Sequence, residues 1–275
     1  MHTVTIFGIT FNYKQVAFTI PGINWDIYWY GILIALGFLL AVIYAMFNAK
    51  RFSLDFDKIL NCIFIVLPVS ILCARAYYMI FAGVPINEFF SFSSGHGFAG
   101  LAIYGGIIGA GASAVIACKI FKLDILSAAD ITAIGFLIGQ GVGRWGNFFN
   151  QEAYGTFTGS SFFGMTGDII SRETGSDALV HPCFLYESVF CILAFLALHF
   201  ISKKRAFRGE IALFYCVFYG AERAIVEGLR TDSLMLFNIR VSQVLSIIIC
   251  LAAAAVLIVK FKKIKKSRAV TTNDN

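Results

Sequence analysis

Apolar residues in this chain come in runs longer than any strand or soluble amphipathic helix would use. Three stretches, 28–47, 98–118 and 241–259, contain no Asp, Glu, Lys or Arg. Each is close to the roughly 20 residues that a helix needs to cross the hydrocarbon layer of a bilayer. Four further stretches are long enough but carry ionisable side chains: 59–81 with Arg75, 131–149 with Arg144, 185–201 with Glu187 and His199, and 211–229 with Glu222, Arg223 and Glu227. The pattern predicts an all-α polytopic membrane protein with seven transmembrane helices in one integral domain, residues 1–268. Between the fourth and fifth stretches lies the one long connection, 150–184, rich in Gly, Ser and Thr. It is expected to form a small head or gate over the outer membrane face. Residues 269–275 are expected to be a disordered tail.

Composition agrees with this pattern. The chain is 59% hydrophobic and 14% charged, against roughly 45–50% and about 25% in soluble domains, which excludes an ordinary soluble protein. The net charge of +6 would by itself suggest a nucleic-acid partner, but the placement of the cations gives it another meaning. If the stretches alternate sides, Lys50, Arg51, Lys58, Lys119, Lys122, Lys203, Lys204, Arg205, Arg208 and the basic run from Lys260 to Arg268 share one side. The opposite side holds Lys14, Arg172, Arg230 and Arg240. Cytoplasmic loops carry the excess of Lys and Arg, so the N-terminus is expected outside and the C-terminus in the cytoplasm, with no nucleic-acid partner. Residues 1–27 lack the basic start and short apolar core of a secretory signal, so no leader is expected to be removed. Glycines at 135, 139 and 143, and at 105, 106, 109 and 111, read as faces for close helix packing. The seven cysteines show neither CxxC spacing nor a disulfide framework and read as small buried hydrophobes.

A charge at membrane depth costs roughly 2.5–3.5 kcal/mol on insertion scales, so it needs a partner or a task. Arg144 and Asn147 lie at i and i+3, on one helix face, followed by Asn150, Gln151 and Glu152 where the chain leaves the membrane. Tyr219, Arg223, Glu227 and Arg230 form a second stripe, rising to the same side. Arg75, Arg144, Arg223 and Arg230 outnumber the carboxylate partners Glu152, Glu187 and Glu227. Guanidinium forks suit phosphate, and an anionic lipid headgroup is the nearest source of it. An internal Arg223–Glu227 ion pair and a snorkelling Arg144 are the structural alternatives. His181, Tyr186 and Glu187 open the fifth stretch at the same boundary. His2, His96, His181 and His199 show no metal-ligand spacing, and no phosphate-binding glycine loop follows a strand, so neither a metal nor a nucleotide is expected.

The run Gly143-Arg144-Trp145-Gly146-Asn147-Phe148-Phe149-Asn150-Gln151-Glu152-Ala153-Tyr154-Gly155 closely resembles the signature of bacterial prolipoprotein diacylglyceryl transferases. Tyr28-Trp29-Tyr30-Gly31, Ala102-Ile103-Tyr104-Gly105-Gly106, His181-Pro182 with Leu185-Tyr186-Glu187, and Tyr219-Gly220 through Arg223, Glu227 and Arg230-Thr231-Asp232-Ser233 extend the resemblance over nearly the whole chain. It implies transfer of an sn-1,2-diacylglyceryl group from phosphatidylglycerol to the lipobox cysteine of prolipoprotein signal peptides. A thioether forms and sn-glycerol 1-phosphate is released, in the bacterial cytoplasmic membrane and without a cofactor. By motif, Arg144, Arg223, Tyr104 and Glu227 would be catalytic. Arg144, Asn147, Glu152, Gly155, Tyr30 and Arg230 would bind substrate. Many members of the family have histidine where this chain has Tyr104, and His96 is not promoted to that role. A tyrosine with an ordinary pKa near 10 is a poor base at neutral pH, so Tyr104 is expected to position thiol or lipid while a carboxylate or a phosphate oxygen helps deprotonation. The competing functions are a transporter or flippase for an anionic lipid or solute, and a noncatalytic scaffold with internally paired arginines.

Overall fold

The computed structural model describes residues 1–22, 24–85, 88–89, 100–231, 235–236 and 239–273. His96, Asp232, Ser233, the first two positions of the expected stretch 98–118 and the last two of the expected tail lie outside the described residues. Seven long helices occupy the seven apolar stretches: α1 (Trp29–Asn48), α2 (Phe56–Ala82), α3 (Ile103–Ile120), α4 (Ile125–Asn150), α6 (Cys183–Ser202), α7 (Glu210–Leu229) and α8 (Val241–Asn273). Six are long and apolar enough to cross a membrane. The seventh, α7, equals α6 in length but carries Glu210, Glu222, Arg223 and Glu227. The backbone of α8 stays helical beyond the apolar stretch, through the lysines and on to Asn273.

Local chemistry sets the helix ends. The Asp55 side chain accepts from the Asp57 N–H at the start of α2, and Gly83 ends it in the left-handed region at φ 68°. Asp124 accepts from the Ser127 N–H at 2.8 Å at the start of α4, a bond that holds its carboxyl below the ordinary range. Helix α4 ends at Gln151, which turns left-handed at φ 50°.

The centre of the bundle is α4, packed against α1, α6 and α7, with α8 laid on α7. The α1–α4 approach explains a glycine: a Cβ at Gly37 would lie 3.0 Å from the Gly139 carbonyl oxygen and 3.1 Å from its Cα. Phe52, Ile134, Leu137, Leu198 and Ile211 are fully buried in the core this creates. Helices α2 and α3 form a separate hairpin. It meets the rest near the lysine-rich end, where Cys62, Ala117 and Cys118 pack with Leu123 and Ala128. Large apolar side chains such as Phe64, Ile80, Ile107, Leu193 and Leu251 stay exposed on the outer faces, as a bilayer solvent requires.

The expected head exists, and small sheets build it. Strands β1 (His2–Ile6), β2 (Ile9–Tyr13), β3 (Val16–Ile20) and β4 (Trp25–Tyr28) occupy the N-terminal segment. A further strand, β5 (Met165–Gly167), and the short helix α5 (Asp168–Thr174) come from the 150–184 connection, and β6 (Met235–Leu236) pairs with β7 (Ile239–Arg240). Strand β1 lies between β2 and β5, antiparallel to both. Val4, Met165, Ile170 and Val180 are buried with Phe148 of α4 and Phe184 of α6. Each such side chain contributes about 1.5–3 kcal/mol relative to exposure. Gln151 pins this head to α4. The two N–H groups on its Nε2 are shared among the Thr3 carbonyl (3.1 Å), Tyr13 Oη (3.1 Å) and Asp168 Oδ1 (2.9 Å), and its Oε1 accepts from the Ile169 N–H at 2.9 Å.

Candidate active site

Where α4, α6 and α7 reach the head, they bring three arginines onto one buried carboxylate. Glu187 on α6 is 1% exposed and takes the Arg144 guanidinium of α4 through Oε2. The same oxygen accepts from Arg223 Nη1 of α7 at 3.2 Å, and Arg230 Nη1 lies 3.7 Å from Oε1. Arg223 also pairs through Nη2 with Glu227 one turn on, as the i, i+4 spacing requires. Arg240, the last residue of β7, donates to the Glu227 carbonyl oxygen.

Arg144 uses only Nη2 on Glu187; its Nε and Nη1 have no hydrogen-bond partner among the described residues. The internal pairing considered for Arg223 is therefore present, and it leaves donors over.

The rim of this cluster is polar. Asn147 Nδ2 and Asn150 Nδ2 donate to Glu152 Oε1 at 2.9 and 3.2 Å. Tyr30 packs over Gly146, where a Cβ would collide with its ring, and it stands within electrostatic reach of Glu152 and Arg144. Gly155 bridges to Arg230 and donates its N–H to the His181 carbonyl oxygen at 2.9 Å. A side chain there would lie 2.8 Å from His181 Cβ and 3.1 Å from the Leu229 carbonyl oxygen, so only glycine lets the loop close on α7. His181 Nδ1 and Tyr186 Oη are 3.1 Å apart. Beside Arg144, Trp145 donates from Nε1 to Ser188 Oγ at 3.1 Å. It also caps an apolar groove of about 550 Å³ between α1, α4 and α6, lined by Leu40, Tyr44, Leu137, Gly141, Ile192 and Phe195 among others.

Arg144, Asn147, Glu152, Gly155, Tyr30, Arg223, Glu227 and Arg230 thus gather at one end of the bundle. One expected member stands apart. Tyr104 is on the α2–α3 hairpin, 43% exposed, its ring 6.5 Å from that of Tyr77. Arg75, counted above among the surplus arginines, donates to the backbone carbonyls of Glu88 (2.9 Å), Phe89 (3.3 Å) and Gly100 (3.3 Å). It ties down the end of its own hairpin. Glu222 and Gln140, to which the sequence assigns no role, lie within the cluster region with buried oxygens that lack donors. Their only signal in the sequence is a polar side chain inside an apolar stretch. Among the described residues no group of three or more His, Cys, Asp or Glu is placed to hold a metal.

The profile of the family described as prolipoprotein diacylglyceryl transferase matches residues 15–259. The chain is 40% identical over 266 residues to a Clostridium perfringens protein named phosphatidylglycerol-prolipoprotein diacylglyceryl transferase 1, covering 94% of this chain and 100% of that one. It is 43% identical over 254 residues to the Finegoldia magna protein named phosphatidylglycerol-prolipoprotein diacylglyceryl transferase, covering 90% and 96% of the two chains. A relative of the same name from Clostridioides difficile is 40% identical over 238 residues, 85% of this chain and 90% of that one. With a matching profile over most of its length and relatives aligned nearly end to end, the chain belongs to the prolipoprotein diacylglyceryl transferase family.

Proposed function

We propose that this protein transfers the sn-1,2-diacylglyceryl group of phosphatidylglycerol to the lipobox cysteine of prolipoproteins. The observation that carries this is the trio of guanidinium groups gathered on Glu187, with Arg144 donors left over. A lipid phosphate entering from the membrane meets a concentrated set of planar donors in a site shielded from water. There each donor is worth more than it would be in solvent.

In the reaction the cysteine sulfur forms a bond to the terminal glycerol carbon of the diacylglyceryl group. The carbon–oxygen bond to phosphate breaks, its electron pair leaves with sn-glycerol 1-phosphate, and the thiol proton passes to a base. Arg144 and Arg223 hold the phosphate and stabilise the charge that grows on it. Glu187 and Glu227 orient those arginines, Arg230 and Gly155 close the site, and Asn147, Glu152 and Tyr30 form its entrance. The groove under Trp145 offers an apolar wall to one acyl chain. Tyr104 positions thiol or lipid, while Glu227 or a phosphate oxygen takes the proton. The head faces outward and the lysine-rich end inward, in the bacterial cytoplasmic membrane, as the charge bias implies.

The test combines purified protein, phosphatidylglycerol and a lipobox peptide, following peptide mass and glycerol phosphate release. A diacylglyceryl mass gain that is absent with a Cys→Ser peptide is expected. No gain with folded protein would return the site to anion transport or internal pairing. In the same assay Glu227→Gln is expected to lose activity while Tyr104→Phe keeps it; the reverse pattern overturns this division of labour.

A further inference from the structure

Among the described residues, the buried side-chain oxygens left without a hydrogen-bond donor are Gln140 Oε1, Glu187 Oε1 and both carboxyl oxygens of Glu222. All four belong to one region. Glu222 is 4% exposed on α7, next to Arg223 and within electrostatic reach of Glu187, Arg144 and Arg230. Gln140 lies one turn before Arg144 on α4, its Nε2 donating to Tyr215 Oη at 3.0 Å. Tyr215 in turn stacks on Tyr219, 5.5 Å between ring centres, one turn before Glu222 and Arg223. Glu187 Oε1 stands 3.7 Å from Arg230 Nη1, close enough for charge attraction but too far for a hydrogen bond.

An unmet buried acceptor costs about 1–3 kcal/mol. Among the described residues the other buried polar side chains are satisfied, Gln151 and Asp130 among them. Four unmet acceptors beside the spare Nε and Nη1 donors of Arg144 therefore mark a place where a ligand supplies the missing groups. The two kinds of site atom have opposite hydrogen-bonding polarity. Guanidinium donors match phosphate oxygens, and carboxyl and amide oxygens match hydroxyl donors. A phosphoglycerol headgroup carries both: one phosphate and, beyond it, two hydroxyls.

We infer that Gln140, Glu222 and Glu187 Oε1 accept the glycerol hydroxyls of phosphatidylglycerol while the arginines hold its phosphate, making Glu222 a determinant of headgroup specificity. This rests on the transfer activity proposed above. It goes further in assigning the choice of lipid to residues that take no part in the bond exchange. A site built to bond a hydroxyl rejects an analogue that lacks it, because the site's own buried polar atoms are then left unpaired.

The test compares transfer from phosphatidylglycerol with transfer from phosphatidylpropanol, which keeps the phosphate and the three-carbon headgroup but has no hydroxyl. The wild type is expected to favour phosphatidylglycerol by at least about a hundredfold in kcat/KM, since a site built to bond a hydroxyl can reject the analogue lacking it by about 10⁴–10⁵-fold. Glu222→Leu and Gln140→Leu are expected to shrink that ratio at least tenfold. Glu222→Gln, which retains an acceptor oxygen, is expected to keep most of it. Equal use of both lipids by the wild type would overturn the inference, and needs no variant to fold. So would an equal slowing of both lipids by Glu222→Leu, which would make the four oxygens water-bonded packing groups only. Transfer from neither lipid by folded wild type would instead remove the transfer activity, and the inference with it.

Discussion

The two ends of α4 solve the same electrostatic problem in opposite ways. Near the lysine-rich end, Asp130 is 0% exposed and every one of its bonds is closed. Oδ2 accepts from Arg205 Nη1 at 2.8 Å and from the Gly209 N–H at 2.9 Å, and Oδ1 accepts from the Ala212 N–H at 2.9 Å. The rest of the Arg205 fork reaches the Phe52 carbonyl at 3.2 Å and Ser127 Oγ at 3.4 Å, with the guanidinium 4.9 Å above the Phe52 ring. At the head end, Glu187 is shared by three guanidiniums while Glu222 receives no hydrogen bond from any of them. A closed network fastens helices together. An open one, with donors and acceptors both to spare, is suited to binding a ligand that carries the complementary groups.

The largest expected effect would break this comparison at its closed end. Arg205→Ala leaves Asp130 buried without its cation, a change that costs about 3–5 kcal/mol when one partner of a buried pair is removed. A marked fall in melting temperature in detergent is expected, with transfer per folded molecule retained. An unchanged melting temperature would mean that the closed network is not a fastening.

Next in size is the open end. Arg144→Ala leaves Glu187 with Arg223 and Arg230, so no charge is stranded and the melting temperature should hold. Loss of a preorganised donor to a developing oxyanion costs about 2.7–4 kcal/mol, roughly a hundredfold to a thousandfold in kcat. If Arg144→Ala instead lowered stability as far as Arg205→Ala, both ends of α4 would be fastenings and the comparison would collapse.

Much of this was legible in the sequence because a bilayer imposes a length and a composition on every crossing helix. The seven helices follow from apolar runs alone, and Arg144, Arg223 and Glu227 stood out as charges where charge is costly. The head was not legible in detail: β1 pairs with β5, more than 150 residues away in the chain, and no local pattern encodes that pairing. Gln151 reads as one more polar residue of a motif, yet its left-handed backbone points its side chain into the head. Arg75 misled because a count of charges treats every guanidinium alike, whereas backbone carbonyls satisfy this one. Glu222 gave no hint of its unmet oxygens, since the absence of a partner is a property of packing.

The head supplies the intermediate case, a closed network that water can still reach, and there the comparison can be sharpened by pH. Asp168 is 33% exposed. Burial pushes its carboxyl upward, but bonds from Gln151, His2 and the Thr3 N–H outweigh that and hold it down at about 2. A carboxyl whose folded pKa is depressed stabilises the fold fully above its ordinary pKa near 3.9, and that contribution fades as pH falls toward the folded value. The head should therefore loosen between about pH 4 and pH 2, by about 1 kcal/mol once solvent screening of a partly exposed group is allowed for. Trp29, stacked on Phe149 with ring centres 5.4 Å apart, reports the change through its fluorescence. Asp168→Asn should remove most of the pH dependence in that window, because the neutral amide no longer titrates against Gln151 and His2. If the variant kept the wild-type profile, the head would be held by the apolar contacts of Val4, Met165 and Ile170 alone, and closure of a polar network would matter only where water is excluded.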